Sequence, residues 1–205
     1  MRFRFELIRH GNTDATTNHT YCGHTDLPLN EPGIEDIKEN VEDGIYSLTD
    51  VYFTSGLSRA NMTLQLYAGE DVKFEVREGW KECNFGIFEG YTHDELLDNE
   101  YYQAWINDET GTYIPPQGES TVGFNERVDK AFVDLFEEIS QLGVESATMV
   151  CHGGPISRFF SVYIDDSLNM YEAMPSRGEG FSMIINYEDG KATVEEWKKV
   201  LKIRK

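Results

Sequence analysis

The chain has 205 residues, a hydrophobic fraction of 40% and a formal net charge of −19, which suits one α/β domain over residues 1–205 with a sizeable core. The acidity argues against nucleic acid or an anionic membrane surface as a partner, and no apolar run approaches the roughly 18 residues that a membrane span requires. Three scattered cysteines predict no disulfide framework, and the strand-like segment directly after Met1 predicts no secretory signal, so a cytoplasmic location is expected.

The first predicted element is a buried strand over residues 3–8, and it ends in a loop at Gly11. Arg9 and His10 therefore lie at the carboxyl end of a strand, which is where open α/β sheets bind their ligands. A guanidinium donates paired N–H groups to phosphate oxygens, and a neutral imidazole can attack phosphorus. The two residues together predict phosphate chemistry at this edge of the sheet.

A loop over residues 18–29 follows, because the segment is rich in Gly, Thr and Asn and has no apolar period. Four of its side chains are of types that bind metals, but their spacing fits no standard zinc pattern and we predict no metal site: His19, Cys22, His24 and Asp26. Asn30 and Pro32 then predict the start of a helix. Its apolar positions predict a buried stripe of Ile34, Ile37, Val41 and Ile45.

Two later strands end in comparable turns. Residues 50–53 form a strand that leads to a helix carrying Arg59, and residues 147–150 form a strand that leads to His152. Adjacent strand residues point to opposite faces, so Cys151 and His152 are not expected to form a catalytic pair. The chain thus offers three strand ends that carry two histidines and two arginines.

The remaining predicted elements continue an alternation of strands and helices. They are a short strand over residues 72–76, a loop over 79–90, a covering insertion at about 91–118, a long helix after Ser120 and a terminal hairpin over 181–197. Five basic residues in the last eight positions predict a solvated chain end. The alternation predicts a three-layer α/β/α sandwich with a mainly parallel sheet.

Four motifs in the predicted loops resemble those of the histidine phosphatase superfamily, which includes the cofactor-dependent phosphoglycerate mutases. They are Arg-His-Gly-Asn-Thr at residues 9–13, Ser-Gly-Leu-Ser-Arg-Ala at 55–60, Glu-Cys-Asn-Phe-Gly-Ile-Phe-Glu-Gly at 82–90 and His-Gly-Gly at 152–154. A single Arg-His-Gly is a weak signal, whereas four motifs in the family's order are specific. The resemblance implies a phosphoglycerate mutase-like fold and hydrolysis through a phosphohistidine intermediate.

The resemblance also assigns roles to the motif residues. It makes His10 the nucleophile, and it places Arg9, Arg59 and His152 against the phosphoryl group, where fixed cations stabilise the charge of the transition state. Because two arginines and two histidines supply the positive charge, we expect no metal ion and no organic cofactor.

The resemblance assigns Glu82 as the general acid and base, because the leaving alkoxide needs a proton and a water must later lose one. Glu89 is the rival acid, and we interpret it as structural. Where the family often has an Asn seven positions after the Arg of its first motif, this chain has Thr16, with Asn18 two residues later. Either can be the phosphate ligand. Two glycines complete the predicted phosphate site: Gly23 and Gly153.

Three functions compete for these residues: a phosphatase for a small phosphomonoester, a phosphoglycerate mutase, and a non-enzymatic binder of phosphorylated ligands. No catalytic residue of the family is missing, which argues against the binder. Residues 91–112 carry six acidic side chains and no Lys or Arg, which argues against a mutase that must hold a second anion. Residues 21–29 and the Gly-Glu-Ser at 118–120 resemble α-ribazole-phosphate phosphatases. A small phosphate ester is the expected partner, and the oligomeric state stays open, with a homodimer as one option.

Overall fold

The computed structural model describes residues 1–167 and 173–201. Its strands are β1 (Arg2–Arg9), β2 (Val51–Thr54), β3 (Glu75–Val76), β4 (Ser146–Cys151), β5 (Gly180–Glu188) and β6 (Lys191–Val200). In this described part of the chain, six strands form one sheet in the order β3-β2-β4-β1-β5-β6. The first four of these run parallel, whereas β5 pairs antiparallel with β1 and β6 pairs antiparallel with β5.

The helices lie on both faces of the sheet. They are α1 (Asp14–Thr17), α2 (Glu31–Glu42), α3 (Ser58–Ala68), α4 (His93–Leu96), α5 (Glu100–Ile106), α6 (Thr121–Leu142) and α7 (Gly153–Tyr163). Helices α6 and α7 pack against one face, and α3, with α2 beside it, packs against the other. The predicted three-layer α/β/α sandwich with a mainly parallel sheet is confirmed. Within the described residues, no helix is long and apolar enough to cross a membrane.

The central strands β1 and β4 hold the core and fix the position of the predicted site. In β1, Phe3, Phe5 and Leu7 pack with α6 and α7, whereas Ile8 packs on the α3 side. Each such side chain contributes about 1.5–3 kcal/mol when it is fully buried. All six residues of β4 are buried, as expected for a parallel strand that helices cover on both faces. The loop that follows β1 therefore starts at a strand that is packed on both faces.

Helix α2 differs from its predicted apolar stripe. Ile37 is fully buried, but Val41 is 39% exposed, and Asn40 is buried in its place. The Asn40 side chain donates hydrogen bonds to the Tyr46 hydroxyl and to the carbonyl oxygen of Gly178. The buried Oδ1 of the same side chain has no partner among the described residues, so the two bonds from Nδ2 are what connect α2 to the loop before β5.

Several predicted boundaries also differ. The predicted strand over 72–76 shortens to Glu75–Val76, because only these two residues pair with β2. The terminal hairpin is longer than predicted, and its turn has positive φ at Asp189 and Gly190, as a two-residue hairpin requires. The covering insertion is partly helical, since it contains α4 and α5. Of the basic residues near the chain end, Lys198 and Lys199 lie on β6, and those at positions 202, 204 and 205 lie outside the described residues.

Candidate active site

Most of the predicted site residues surround one cavity of about 570 Å³ at the carboxyl end of β1. Its wall includes Arg9, the last residue of β1, and His10 directly after it, together with Arg59 from the first turn of α3 and Glu82 from the loop after β3. The parallel pairing of β1 with β4 brings His152 alongside, with its ring centroid 5.0 Å from that of His10. The fold therefore gathers two imidazoles, two guanidinium groups and one carboxylate from distant parts of the sequence.

His10 is held in one tautomer by its own loop. The ring is buried, and its Nδ1 lies 2.7 Å from the carbonyl oxygen of Gly11. A carbonyl oxygen only accepts hydrogen bonds, so Nδ1 carries the ring proton and Nε2 keeps a lone pair. Burial, followed by the charges of Arg59 and Arg9, lowers the pKa of His10 well below its usual value. The neutral ring with an unprotonated Nε2 is the nucleophilic form.

His152 is fully buried, and both of its ring nitrogens contact protein groups. Its Nδ1 accepts a hydrogen bond of 3.3 Å from Arg59 Nε, so the ring proton lies on Nε2, which donates to Ser55 Oγ at 2.7 Å. Burial and then the charge of Arg59 lower the pKa of His152 well below its usual value. The prediction placed His152 against the phosphoryl group. Its ring centroid lies 5.0 Å from that of His10 and it also orients Arg59, and the contact with the phosphoryl group stays a prediction.

Arg59 fastens the loop over residues 18–29 to the site. Its Nη1 donates to the carbonyl oxygen of Thr25 at 2.9 Å and its Nη2 to that of Gly23 at 2.6 Å. From the same loop, the carboxylate of Asp26 accepts bonds from the backbone N–H and hydroxyl of Ser58, and so caps α3. Gly23, predicted as a phosphate ligand, is thus a partner of Arg59 and lies outside the described lining of the cavity.

Arg9 retains unused hydrogen-bonding capacity. Its Nη1 donates to the carbonyl oxygen of Pro175 at 2.8 Å, and its buried Nε has no hydrogen-bond partner among the described residues. Burial, and then the charge of Arg177, lowers the pKa of Arg9 to about 10. The group remains a cation at neutral pH, and an anionic ligand would supply the acceptor that its Nε lacks.

The two predicted acids lie in different surroundings. The Glu82 carboxylate accepts bonds from the backbone N–H of Cys83 at 2.9 Å and of Gly154 at 3.0 Å, which fixes it at the start of α7. An added Cβ at Gly154 would lie 2.1 Å from Glu82 Oε1, so this close approach requires glycine. The Glu89 carboxylate accepts from three backbone N–H groups, those of His24, Thr25 and Phe85, and lies outside the described cavity lining.

Thr16 and Asn18, the two alternatives for the additional phosphate ligand, lie in different places in the structure. Thr16 lines the cavity, and its hydroxyl lies 3.1 Å from that of Thr13, the residue that caps α1. Asn18 is exposed at the carboxyl end of α1 and lines a different, smaller depression. The structure therefore places Asn18 away from the site. Gly153 begins α7 beside Arg9, where an added Cβ would lie 3.1 Å from Arg9 Nη2.

The metal-binding side-chain types in the loop over residues 18–29 do not converge. His19 and Cys22 line the cavity, whereas Asp26 caps α3. In the described part of the chain, no group of three or more His, Cys, Asp or Glu side chains is arranged to hold a metal ion. Catalysis without a metal stays a prediction.

Sequence reasoning missed three contributors to the cavity wall: His93, Met174 and Arg177. His93 is the second residue of a capping box, and its Nδ1 lies 2.6 Å from the Tyr102 hydroxyl, which in turn lies 2.7 Å from that of Tyr21. Arg177 lies in the turn before β5. None of the three residues belongs to the four family motifs. The only sequence signal was that Arg177 is a single basic residue shortly before a strand.

A second cavity of about 490 Å³ adjoins the first, with which it shares Tyr21, Glu82 and Met174. Its wall includes Phe85 and Trp105 in edge-to-face contact and Phe124 on α6, beside polar residues such as Thr121 and Asn125. Its one lining cation among the described residues is Arg158, and both carboxylate oxygens of Asp129 accept hydrogen bonds from that guanidinium at 2.8 and 2.6 Å. The two cavities thus differ in character, one cationic and one apolar, and Glu82 lies at both.

The acidic residues of the insertion do not line the cavities in the described part of the chain. None of the six lines either cavity in the described part of the chain: Asp94, Glu95, Asp98, Glu100, Asp108 and Glu109. Glu95 completes the capping box of α4, and Asp108 accepts hydrogen bonds from Thr110 and Tyr113. What the insertion contributes is His93 to one cavity and Trp105 to the other. Repulsion by an acidic lid is therefore not a sound argument against a mutase.

Taken together, the fold and the cavity define an α/β protein with a cationic, imidazole-containing site at the carboxyl end of a central parallel strand. Residues 5–200 match the model of the histidine phosphatase superfamily (branch 1). The chain belongs to this superfamily, as its four motifs predicted.

Individual relatives agree with this family. The chain is 32% identical over 158 residues to the adenosylcobalamin/alpha-ribazole phosphatase of Escherichia coli (strain K12), with 75% of each chain covered. The crystal structure of the alpha-ribazole phosphatase from Shigella flexneri is similar with a TM-score of 0.77 and 28% identity, covering 94% of this chain and 95% of that one. A phosphoglycerate mutase from Bacillus anthracis str. Sterne is similar with a TM-score of 0.73 and 25% identity, covering 95% and 92%.

Proposed function

We propose that the chain, as one domain over residues 1–205 in the cytoplasm, hydrolyses small phosphomonoesters through a phosphohistidine on His10. The observation that carries this proposal is the 2.7 Å contact between His10 Nδ1 and the Gly11 carbonyl oxygen, which leaves Nε2 unprotonated in a cavity lined by arginines. The three free cysteines are in keeping with a reducing compartment.

In the first step, His10 Nε2 attacks phosphorus, a P–N bond forms and the P–O bond to the alcohol breaks. Arg9 and Arg59 stabilise the charge on the phosphoryl oxygens, with Thr16 as an additional donor and Gly153 allowing close approach to the start of α7. Glu82 gives a proton to the leaving oxygen. In the second step, Glu82 takes a proton from water, whose oxygen attacks phosphorus and releases phosphate and neutral His10.

The alcohol part of the substrate occupies the second, apolar cavity in this proposal. Glu82 lies at both cavities, so an ester with its phosphoryl group in the first extends its leaving oxygen past Glu82 into the second. Because aromatic side chains line part of the second cavity and its Arg158 is paired with Asp129, it suits a flat, uncharged group better than a second anion. The benzimidazole nucleoside of α-ribazole phosphate is such a group, and we propose that compound as the substrate.

The test compares α-ribazole phosphate with glycerol phosphate, sugar phosphates and 3-phosphoglycerate in the wild type and in Trp105→Ala. We expect the highest kcat/KM for α-ribazole phosphate, and a loss of about tenfold in the variant, because a stacking contact is removed. The value for glycerol phosphate should change by less than about twofold, since this small alcohol does not reach Trp105. Equal losses for both esters would contradict the proposed position of the alcohol.

The same assay separates hydrolysis from mutase activity. Incubated with 3-phosphoglycerate and catalytic 2,3-bisphosphoglycerate, the wild type is expected to release inorganic phosphate faster than it forms 2-phosphoglycerate. The reason is that a mutase must hold a second anionic group while the phosphohistidine exists, and the second cavity offers no unpaired cation among its described lining residues. Isomerisation that outpaces phosphate release would overturn this expectation.

A further inference from the structure

A third guanidinium group shares the phosphate cavity. Arg177 lines the same cavity as Arg9, His10 and Arg59, and its half-buried side chain has an Nε without a hydrogen-bond partner among the described residues. Nothing in the four sequence motifs includes this residue. Its role therefore has to be argued from its surroundings.

The backbone around Arg177 is attached directly to the loop that carries the nucleophile. The N–H of Gly178 donates to the carbonyl oxygens of both Arg9 and His10, at 3.1 and 3.2 Å, and the N–H of Arg9 donates to the carbonyl oxygen of Glu179 at 2.9 Å. The carbonyl oxygen of Gly178 is held by the Tyr46 hydroxyl at 2.6 Å. Arg177 is thus fixed relative to His10 by backbone hydrogen bonds.

The charges in the cavity are unbalanced. Three guanidinium groups face it, and among the described lining residues Glu82 is the one carboxylate. In the described part of the chain, no carboxylate forms an ion pair with Arg9, Arg59 or Arg177. With both histidines neutral, positive charges outnumber negative ones around the cavity, which favours a dianionic group such as a phosphomonoester above its second pKa of about 6.

The charge of Arg177 acts on the Arg9 guanidinium in the same cavity. The charge of Arg177 is, after burial, the main cause that lowers the pKa of Arg9. Like charges held together without a counter-ion cost folding stability, so their retention around one cavity is explained by an anionic ligand. An anionic ligand in this cavity would offset the charge of Arg177 as well as those of Arg9 and Arg59.

We propose that Arg177 is a third guanidinium ligand of the phosphoryl group, in addition to Arg9 and Arg59. This inference rests on the proposed function in placing a phosphate ester in the first cavity. The rival role, recognition of an anion on the alcohol part, is disfavoured because Arg177 is absent from the described lining of the second cavity. A ligand of the phosphoryl group acts equally on every ester, whereas a ligand of the alcohol acts on some of them.

The test measures the binding of inorganic phosphate by calorimetry to the wild type, Arg177→Gln, Arg177→Lys and the control Arg2→Gln. Arg2 lies at the opposite end of β1, is 58% exposed at its side chain, and its loss changes the net charge by the same amount. We expect phosphate affinity to fall about ten- to hundredfold in Arg177→Gln and less in Arg177→Lys, because charge-assisted hydrogen bonds are lost. The control should bind phosphate as the wild type does.

Turnover of two esters with different alcohols provides the second measurement. For glycerol phosphate and p-nitrophenyl phosphate, kcat/KM should fall by a similar factor in Arg177→Gln, since the phosphoryl group is common to both. Unchanged phosphate affinity, or a loss confined to one alcohol, would overturn the role of Arg177. If the wild type binds phosphate but hydrolyses no ester, the proposed function fails, and the calorimetric comparison still decides the role of Arg177. Unfolding curves of Arg177→Gln and Arg177→Lys show whether either variant has lost its fold. If one has, the phosphate affinity of the folded variant decides the role of Arg177.

Discussion

The variant His10→Ala is expected to hydrolyse phosphomonoesters at least about a thousandfold more slowly than the wild type, because it removes the atom that bonds to phosphorus. In the wild type, rapid acid-free quenching with a phosphorus-labelled substrate should trap a phosphoryl group on the protein that is labile in acid and stable in alkali. Mass spectrometry of the trapped protein should locate that group on His10. In the variant the trapped label should be absent.

The control for this variant is phosphate binding. Arg9 and Arg59 do not depend on the imidazole for their position, since they are held by the carbonyl oxygens of Pro175, Thr25 and Gly23. His10→Ala should therefore bind inorganic phosphate within about tenfold of the wild type and keep the same urea-unfolding midpoint within error. Turnover at the wild-type rate, or a trapped label on another residue, would refute His10 as the nucleophile.

The sequence was sufficient to predict the site wherever a residue's position follows from a strand end. His10 directly follows β1 and His152 directly follows β4, so the parallel pairing of these strands brings the two imidazoles together. Alternating apolar side chains identified β1, and the short segment over residues 147–150 identified β4, which is buried on both faces of the sheet. The family resemblance added Glu82, which lies in a loop that periodicity alone does not position.

Residues positioned by long-range hydrogen bonds could not be predicted in this way. Arg177 reaches the cavity because the Gly178 N–H bonds to carbonyl oxygens some 170 positions earlier in the chain. Asn40 is buried for a related reason, since it bonds the carbonyl oxygen of Gly178 from α2. Such contacts join polar groups and leave no periodic pattern in the sequence. The stripe predicted for α2 from its apolar residues therefore included Val41, which is exposed.

The structure adds a second role for His152 to the predicted phosphoryl contact, which stays a prediction. Its Nδ1 accepts from Arg59 Nε and its Nε2 donates to Ser55. Both partners belong to the second motif, so the second and fourth motifs form one hydrogen-bonded unit. Ser55 therefore has a structural role in this chain: it fixes the tautomer in which His152 orients Arg59.

The second large effect is expected from Glu82→Gln, and its size depends on the leaving group. For an alkyl ester such as glycerol phosphate, kcat should fall about a hundredfold or more. Without the acid, the alcohol must leave as an unprotonated alkoxide, which is a poor leaving group. For p-nitrophenyl phosphate the burst of nitrophenolate should be slowed less than about tenfold, since that anion is stable in water. Single-turnover measurements of both esters isolate the phosphoryl-transfer step from later hydrolysis.

The matched control is Glu89→Gln, which changes the rival acid in the same way. Glu89 accepts backbone hydrogen bonds from His24, Thr25 and Phe85, so its variant is expected to loosen the loop over residues 18–29. It should therefore lower the unfolding midpoint and slow both esters by a similar factor, because Arg59 loses its fixed partners in that loop. A leaving-group dependence in Glu89→Gln, with equal slowing of both esters in Glu82→Gln, would transfer the general acid to Glu89. The distinction rests on geometry: Glu82 lines both cavities, whereas Glu89 is absent from the described lining of either.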